Sequence, residues 1–142
     1  MRLVTQKGVI DNVAVLGPER GEVQCELSLS DCRTLGITAP VNLSGDLTGA
    51  GDVVVIGPAG ILDAKGCVIV AKAHIHLPPK EAAARGLEND RHVGVKIKSA
   101  RPVTLEDVVI RVGDNFAPAM HIDFDEANAC GYGEGMSVEI VV

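Results

Sequence analysis

Short runs rich in valine and isoleucine recur along the chain and are separated by glycine, proline, asparagine and aspartate. β-Branched residues favour a pleated, half-buried strand, and the separating residue types favour turns. The pattern therefore predicts many short strands joined by tight connections. These strands cover residues 9–16, 23–27, 53–56, 67–71, 74–77, 93–97, 108–112, 120–122 and 138–142.

Three short helices are predicted where helix-forming residues stand between a capping residue and a glycine. One follows Ser30 as N-cap and ends at Gly36, one covers 79–85 before Gly86, and one lies near 125–130 between Asp123 and Gly131. The strand–helix–strand alternation of a parallel sheet is not visible in the pattern. The sequence therefore predicts a mainly β fold of small barrels or sandwiches plugged by short helices.

An internal repeat links the two halves of the chain. Residues 9–36 match residues 104–131 in hydrophobic pattern without a gap, at a constant shift of 95 positions. Both copies end in glycine, and Glu26 in the first copy corresponds to His121 in the second. We interpret the match as a duplication that places two potential metal ligands at one structural position.

Composition narrows the protein class. The 142 residues carry a net charge of −6 and contain no Trp, one Tyr and two Phe, so aliphatic side chains must fill the core. An acidic chain with few aromatic residues argues against a nucleic-acid partner. No apolar run approaches the ~18 residues that cross a membrane, and no signal peptide is visible, so we expect a cytoplasmic protein.

The four cysteines show no metal-binding or disulfide spacing. Cys25, Cys32, Cys67 and Cys130 form no C-x-x-C motif and are irregularly spaced. We therefore expect free, buried thiols in a reducing compartment.

The segment His74-Ile75-His76 is the sharpest chemical signal in the chain. Residues i and i+2 of a strand point to one face, so both imidazoles project together and can bind one divalent cation. His121, in another short apolar strand, is the candidate third ligand, and three histidines with an open position are typical of catalytic zinc. The alternative is a pair of surface histidines without a ligand. His92 stands in a polar stretch and is expected to be solvated.

Two further residues are ambiguous from the sequence alone. Arg20 lies in the turn Gly-Pro-Glu-Arg-Gly at 17–21, where an arginine is usually just exposed but can also bind phosphate. Glu26 reads as an ordinary outward-facing strand carboxylate, apart from its correspondence with His121.

Several segments resemble the PduL-type phosphate propanoyltransferases. They are KAHIHL at 72–77 with the following PKEAA, MHIDFDEANA at 120–129, VLGPER at 15–20, LGITAPV at 35–41 and SGD at 44–46. The segments occur in the family's order and span essentially the whole chain. The chain is thus identified as a member of this family.

The resemblance implies two small β-barrel domains capped by short helices, here residues 1–70 and 71–142. It implies the reversible exchange of acyl-CoA and phosphate with acyl phosphate and CoA, for a short acyl group such as propanoyl or acetyl. The catalytic arginine falls on Arg20. One Zn²⁺ site falls on His74, His76 and His121, and Glu26 matches one ligand of a second site. A homodimer is also implied, with a bacterial microcompartment lumen as the alternative location.

The repeat also raises an expectation about the first domain. The counterpart of His74 lies 95 positions earlier, upstream of Met1, so we expect the first barrel to lack its N-terminal strand and the first H-x-H of the family. We expect direct metal-assisted transfer, because no Ser or Cys has a convincing His partner. The alternatives are a non-catalytic half-site that needs a partner segment, and a hydrolase in which three histidines hold a metal that activates water.

Overall fold

The computed structural model describes residues 1–17 and 21–141 and divides into two compact units, Met1–Ala71 and Lys72–Val142. Both units are mainly β, with curled half-barrel sheets and short helices, so the predicted fold class is confirmed. None of the helices in the described ranges is long and apolar enough to span a bilayer.

Within its described residues, the first unit contains one six-stranded sheet and one helix. Its elements are β1 (Arg2–Val4), β2 (Val9–Ile10), β3 (Cys25–Leu27), α1 (Leu29–Leu35), β4 (Val41–Asn42), β5 (Gly51–Gly57) and β6 (Gly60–Ala71). The strand order is β2-β1-β5-β6-β3, and β4 also pairs with β6. Strand β6 is central to this sheet because it pairs with β3, β4 and β5. Its residues from Cys67 to Val70 are buried.

As far as residue 141, the second unit contains a five-stranded sheet and two helices. Its elements are β7 (His74–Leu77), α2 (Pro79–Ala84), β8 (His92–Lys98), β9 (Val103–Val112), β10 (Ala119–His121), α3 (Phe124–Cys130) and β11 (Ser137–Val141). The strand order is β10-β7-β9-β8-β11. Its core is aliphatic, as the composition predicts, and includes Ile75, Val95, Ile97, Val108 and Ile110.

The strand predictions differ in accuracy along the chain. The strand predicted at 74–77 is observed as β7, whereas the strand predicted at 9–16 forms only at Val9–Ile10. In the latter segment Asn12 has a φ of 60°, a left-handed conformation that ends extended pairing. The prediction from residue types missed the short strands β1 and β4.

The predicted cap of the first helix is wrong. Ser28 caps α1, because its hydroxyl accepts a hydrogen bond from the Asp31 amide while the Asp31 carboxylate accepts one from the Ser28 amide. This reciprocal capping box satisfies two amides that the helix leaves unpaired. Ser30 lies inside the first turn of the helix instead.

The repeat is visible in the helices. Helix α3 has the same length as α1, begins after Asp123 with the same capping box, and ends at Gly131, as α1 ends at Gly36. Both glycines have positive φ. Helices commonly end in this left-handed conformation, and glycine adopts it with the least steric strain. The two copies therefore share a local structure as well as a hydrophobic pattern.

All four cysteines are free thiols, as predicted. Three are buried, whereas Cys25 is half-buried on β3. Burial raises the pKa of the Cys25 thiol to about 12, so it is a neutral, unreactive group at physiological pH.

Candidate metal site

Two neighbouring strands bring three histidines to one point of the second unit. Strand β7 carries His74 and His76, and the adjacent antiparallel strand β10 carries His121, which is paired directly with His74. One potential ligand nitrogen from each ring lies within 4.8 Å of the others. Each pair of ring centroids is separated by 4.5 to 4.8 Å. The alternation of side chains along β7 and the register of β10 together create this cluster.

A backbone carbonyl fixes the ring of His74. Its Nδ1 lies 2.9 Å from the carbonyl oxygen of Lys72, and the ring is buried. Because a carbonyl oxygen can only accept a hydrogen bond, Nδ1 carries the proton. In this tautomer Nε2 is the nitrogen that presents a lone pair, which is the form a metal ion requires.

An aromatic ring supports His76. Phe116 stacks on it with a centroid distance of 3.9 Å and an interplanar angle of 2°. Burial, with the neighbouring His121, His74 and Arg111, lowers the pKa of His76 to about 4. His76 is therefore neutral, and able to donate a lone pair, across the physiological pH range.

Strand β9 adds a cation beside the cluster. Asp107, Val109 and Arg111 share one face of β9, and the parallel pairing with β7 sets Arg111 directly beside His76. Sequence reasoning missed Arg111, because a single arginine in an apolar strand has no distinctive spacing. Only the register shows that it faces the histidines.

The residues present fit a divalent transition metal. Neutral imidazoles suit zinc, copper, iron and nickel, and a three-histidine set leaves a position for a further ligand. One nitrogen of each ring already lies close to the others. The His74 proton is on Nδ1, which leaves Nε2 able to bind a metal ion. His74, His76 and His121 could therefore hold one metal ion.

The structure describes only one of the other two candidate residues. Glu26 lies on β3 in the first unit, where its carboxylate accepts a hydrogen bond of 2.6 Å from the Gln24 amide. Arg20 lies outside the described residues. The predicted roles of Glu26 and Arg20 stay predictions.

A separate apolar cleft of about 610 Å³ lies on the opposite face of β7 and β10. Ile75, Leu77 and Met120 line it, and these residues alternate with the three histidines along their strands. The cleft and the histidine cluster are thus on different faces of the same strand pair.

Comparison with known proteins gives a consistent result. A model of the phosphate propanoyltransferase family matches residues 1–133. A phosphate propanoyltransferase from Clostridioides difficile is 47% identical over 135 residues, which cover 95% of this chain and 65% of the relative. The relative of the same name from Alkaliphilus metalliredigens is 42% identical, over 98% of this chain and 66% of its own length. This chain thus spans slightly less than two thirds of these relatives.

Proposed function

This chain belongs to the phosphate propanoyltransferase family, and we propose that it transfers a short acyl group between CoA and inorganic phosphate. The observation that carries the proposal is the convergence of His74, His76 and His121 in a chain that matches these enzymes along nearly all of its length. Propanoyl and acetyl groups are the proposed acyl substrates.

The proposed reaction balances without a further reactant. An oxygen of phosphate attacks the thioester carbon, the carbon–sulfur bond breaks, and CoA leaves as a thiolate while acyl phosphate forms. We propose Zn²⁺ as the metal held by His74, His76 and His121; when bound there it supplies a Lewis acid for an anionic oxygen.

The chain's own residues prepare the site for an anion. Burial holds His76 in its neutral form, so it adds no charge that opposes an incoming metal ion. The Lys72 carbonyl holds the His74 proton on Nδ1, which leaves Nε2 as the potential ligand atom. Arg111 places a permanent positive charge next to His76. A guanidinium matches phosphate in shape and charge, so we propose that Arg111 orients phosphate at the histidines.

Arg20 and Glu26 complete the proposal. Arg20 is proposed to stabilise the negative charge that develops on the thioester oxygen, a contribution of several kcal/mol in a water-excluded site. Glu26 is proposed as one ligand of a second metal ion. The implied homodimer and microcompartment location stay predictions. Analytical ultracentrifugation would test the homodimer, and cell fractionation would test the location.

A thiol-release assay tests the proposed function. Purified protein is loaded with Zn²⁺ and supplied with propanoyl-CoA, with and without phosphate. We expect CoA release that requires phosphate and falls at least about 100-fold in His121→Ala, because a three-ligand site that loses one histidine binds metal poorly. His92→Gln, which alters the histidine outside the cluster, is the matched control.

The alternatives predict different results in the same assay. Release that is independent of phosphate would show a hydrolase in which the three histidines hold a metal that activates water. Bound metal without any release would show a half-site that needs a further chain segment. The proposal fails in either case.

A further inference from the structure

The orientation of His74 depends on a residue that the sheet does not hold. Its partner, the Lys72 carbonyl, lies in the two-residue connection before β7 and outside any strand. Strand β6 ends at Ala71, one residue before Lys72, and the next hydrogen bond to a strand is made by Ala73, whose carbonyl accepts from the Val109 amide. The Lys72 side chain makes a further contact, to β9.

Asp107 supplies that contact. Its carboxylate forms an ion pair with the Lys72 ammonium, although that side chain is only 21% exposed. The same carboxylate bonds Nδ1 of His92 on β8, and the two hydrogen bonds, that from Lys72 first, lower the pKa of Asp107. Asp107 is therefore ionised at neutral pH and binds Lys72 to the face of β9 that also carries Arg111.

We propose that Asp107 is a positioning residue for the metal site: its ion pair with Lys72 fixes the backbone carbonyl that sets the tautomer of His74. This inference rests on the metal site of the proposed function. It extends the set of supporting residues beyond the three histidines to a carboxylate on a neighbouring strand.

The expected consequence follows from the chemistry of imidazole. Without the ion pair, the Lys72 carbonyl loses its fixed place, and His74 populates the second tautomer, in which Nε2 carries the proton. A ring in that tautomer must rearrange before it can bind a metal ion through Nε2. Residues that orient metal ligands typically contribute 10–100-fold in affinity, and we expect about 10-fold for Asp107.

The test compares Asp107→Asn and Lys72→Met with two control variants. Glu106→Gln removes one negative charge from the adjacent position of β9, and His92→Gln removes the other partner of Asp107 while leaving Lys72 in place. Two properties are measured: the ¹⁵N chemical shifts of the His74 ring in metal-free protein, and Zn²⁺ affinity by competition with a chelator.

The proposal expects wild type and both controls to show one His74 tautomer and similar Zn²⁺ affinity. Asp107→Asn and Lys72→Met should each show mixed tautomers and about 10-fold weaker binding, and the double variant should be no weaker than either one. Unchanged tautomer and affinity in Asp107→Asn would overturn it. If that variant does not fold, Lys72→Met decides the question.

The two measurements separate this inference from the proposed function. The tautomer of His74 is measured without metal, so it tests Asp107 even if the protein binds no Zn²⁺. Failure of wild-type protein to bind Zn²⁺ would instead remove the proposed metal site.

Discussion

His76 shows how its surroundings set the chemistry of a single residue. The ring is half-buried, stacked on Phe116, and surrounded by two other imidazoles and Arg111. Burial, the two imidazoles and Arg111 oppose a positive charge on His76, so the neutral ring is favoured. A histidine on an open strand would be partly charged in the same pH range.

A titration of metal-free protein tests this environment. We expect the ring of His76 to take up its proton with a midpoint near pH 4, instead of the ordinary 6.5, in a proton NMR titration. Because unfolding raises the affinity for this proton, His76 stabilises the fold fully above pH 6.5, and that contribution is lost as the pH falls toward 4. A midpoint near 6.5 would contradict the arrangement; His76→Gln assigns the signal.

Phe116 is expected to support metal binding without touching the metal. Its stacking on His76 is an aromatic contact of the kind that contributes about 1 kcal/mol, or about five-fold in an equilibrium constant. We therefore expect Phe116→Ala to weaken Zn²⁺ binding by about that factor in a chelator competition. Phe124→Ala, at a side chain that is 77% exposed, is the matched control and should bind as wild type does.

At the level of elements, the two capped helices show that the repeat is structural. Helices α1 and α3 are the same length, begin with the same reciprocal pair of hydrogen bonds, and end in a left-handed glycine. Their caps use different residues, Ser28 and Asp123, because both side chains can accept a hydrogen bond from the third amide of the helix.

The caps should contribute similarly to stability. Ser28→Ala and Asp123→Ala each remove the acceptor of one capping bond, and we expect each to lower the free energy of unfolding by about 1 kcal/mol. Urea denaturation measures both. Asp123→Asn keeps an acceptor at the cap and should stay within about 0.5 kcal/mol of wild type. An equal loss in Asp123→Asn and Asp123→Ala would show that the charge, and not the cap, matters.

Strand register is the second element-level determinant. The antiparallel pairing of β10 with β7 sets His121 beside His74, and the parallel pairing of β9 sets Arg111 beside His76. A shift of one residue in either pair would turn the side chain to the opposite face of the sheet, away from the other histidines. The site therefore depends on pairing between strands that are distant in sequence.

At the level of the whole molecule, an acidic chain is proposed to act on anionic substrates. The net charge of −6 disfavours the approach of phosphate, so positive charge has to be local. Arg111 supplies it at the histidines, and a bound metal ion would add more. The overall charge and the local charge thus have opposite signs.

Metal binding should stabilise the protein through mass action. A metal that binds only the folded state at 100 times its dissociation constant adds about 2.7 kcal/mol to the free energy of unfolding. We expect Zn²⁺ to raise the melting temperature of wild type and to increase amide protection in β7 and β10, where the three proposed ligands lie. Calorimetry and hydrogen exchange measure these effects.

His121→Ala is the control for this stabilisation. It should lose both effects, because the remaining two histidines of β7 form an incomplete set of ligands. Stabilisation of the variant equal to that of wild type would place the bound metal elsewhere in the protein.

The sequence by itself determined the fold class, the helix ends at Gly36 and Gly131, and the position of His74 and His76 on one face of a strand. These features depend on local chemistry: β-branched runs favour strands, glycine closes helices, and side chains alternate along a strand. The family also follows from the sequence, because its motifs are contiguous segments.

Only the tertiary structure decided which groups surround those histidines. The contributions of Arg111, Phe116, the Lys72 carbonyl and Asp107 depend on strand register and on turn geometry. The error at the first helix has a related cause, since Ser28 and Ser30 are chemically equal caps and the chain direction at each decides between them. Register and direction follow from the packing of the whole sheet, which no local pattern of residues specifies.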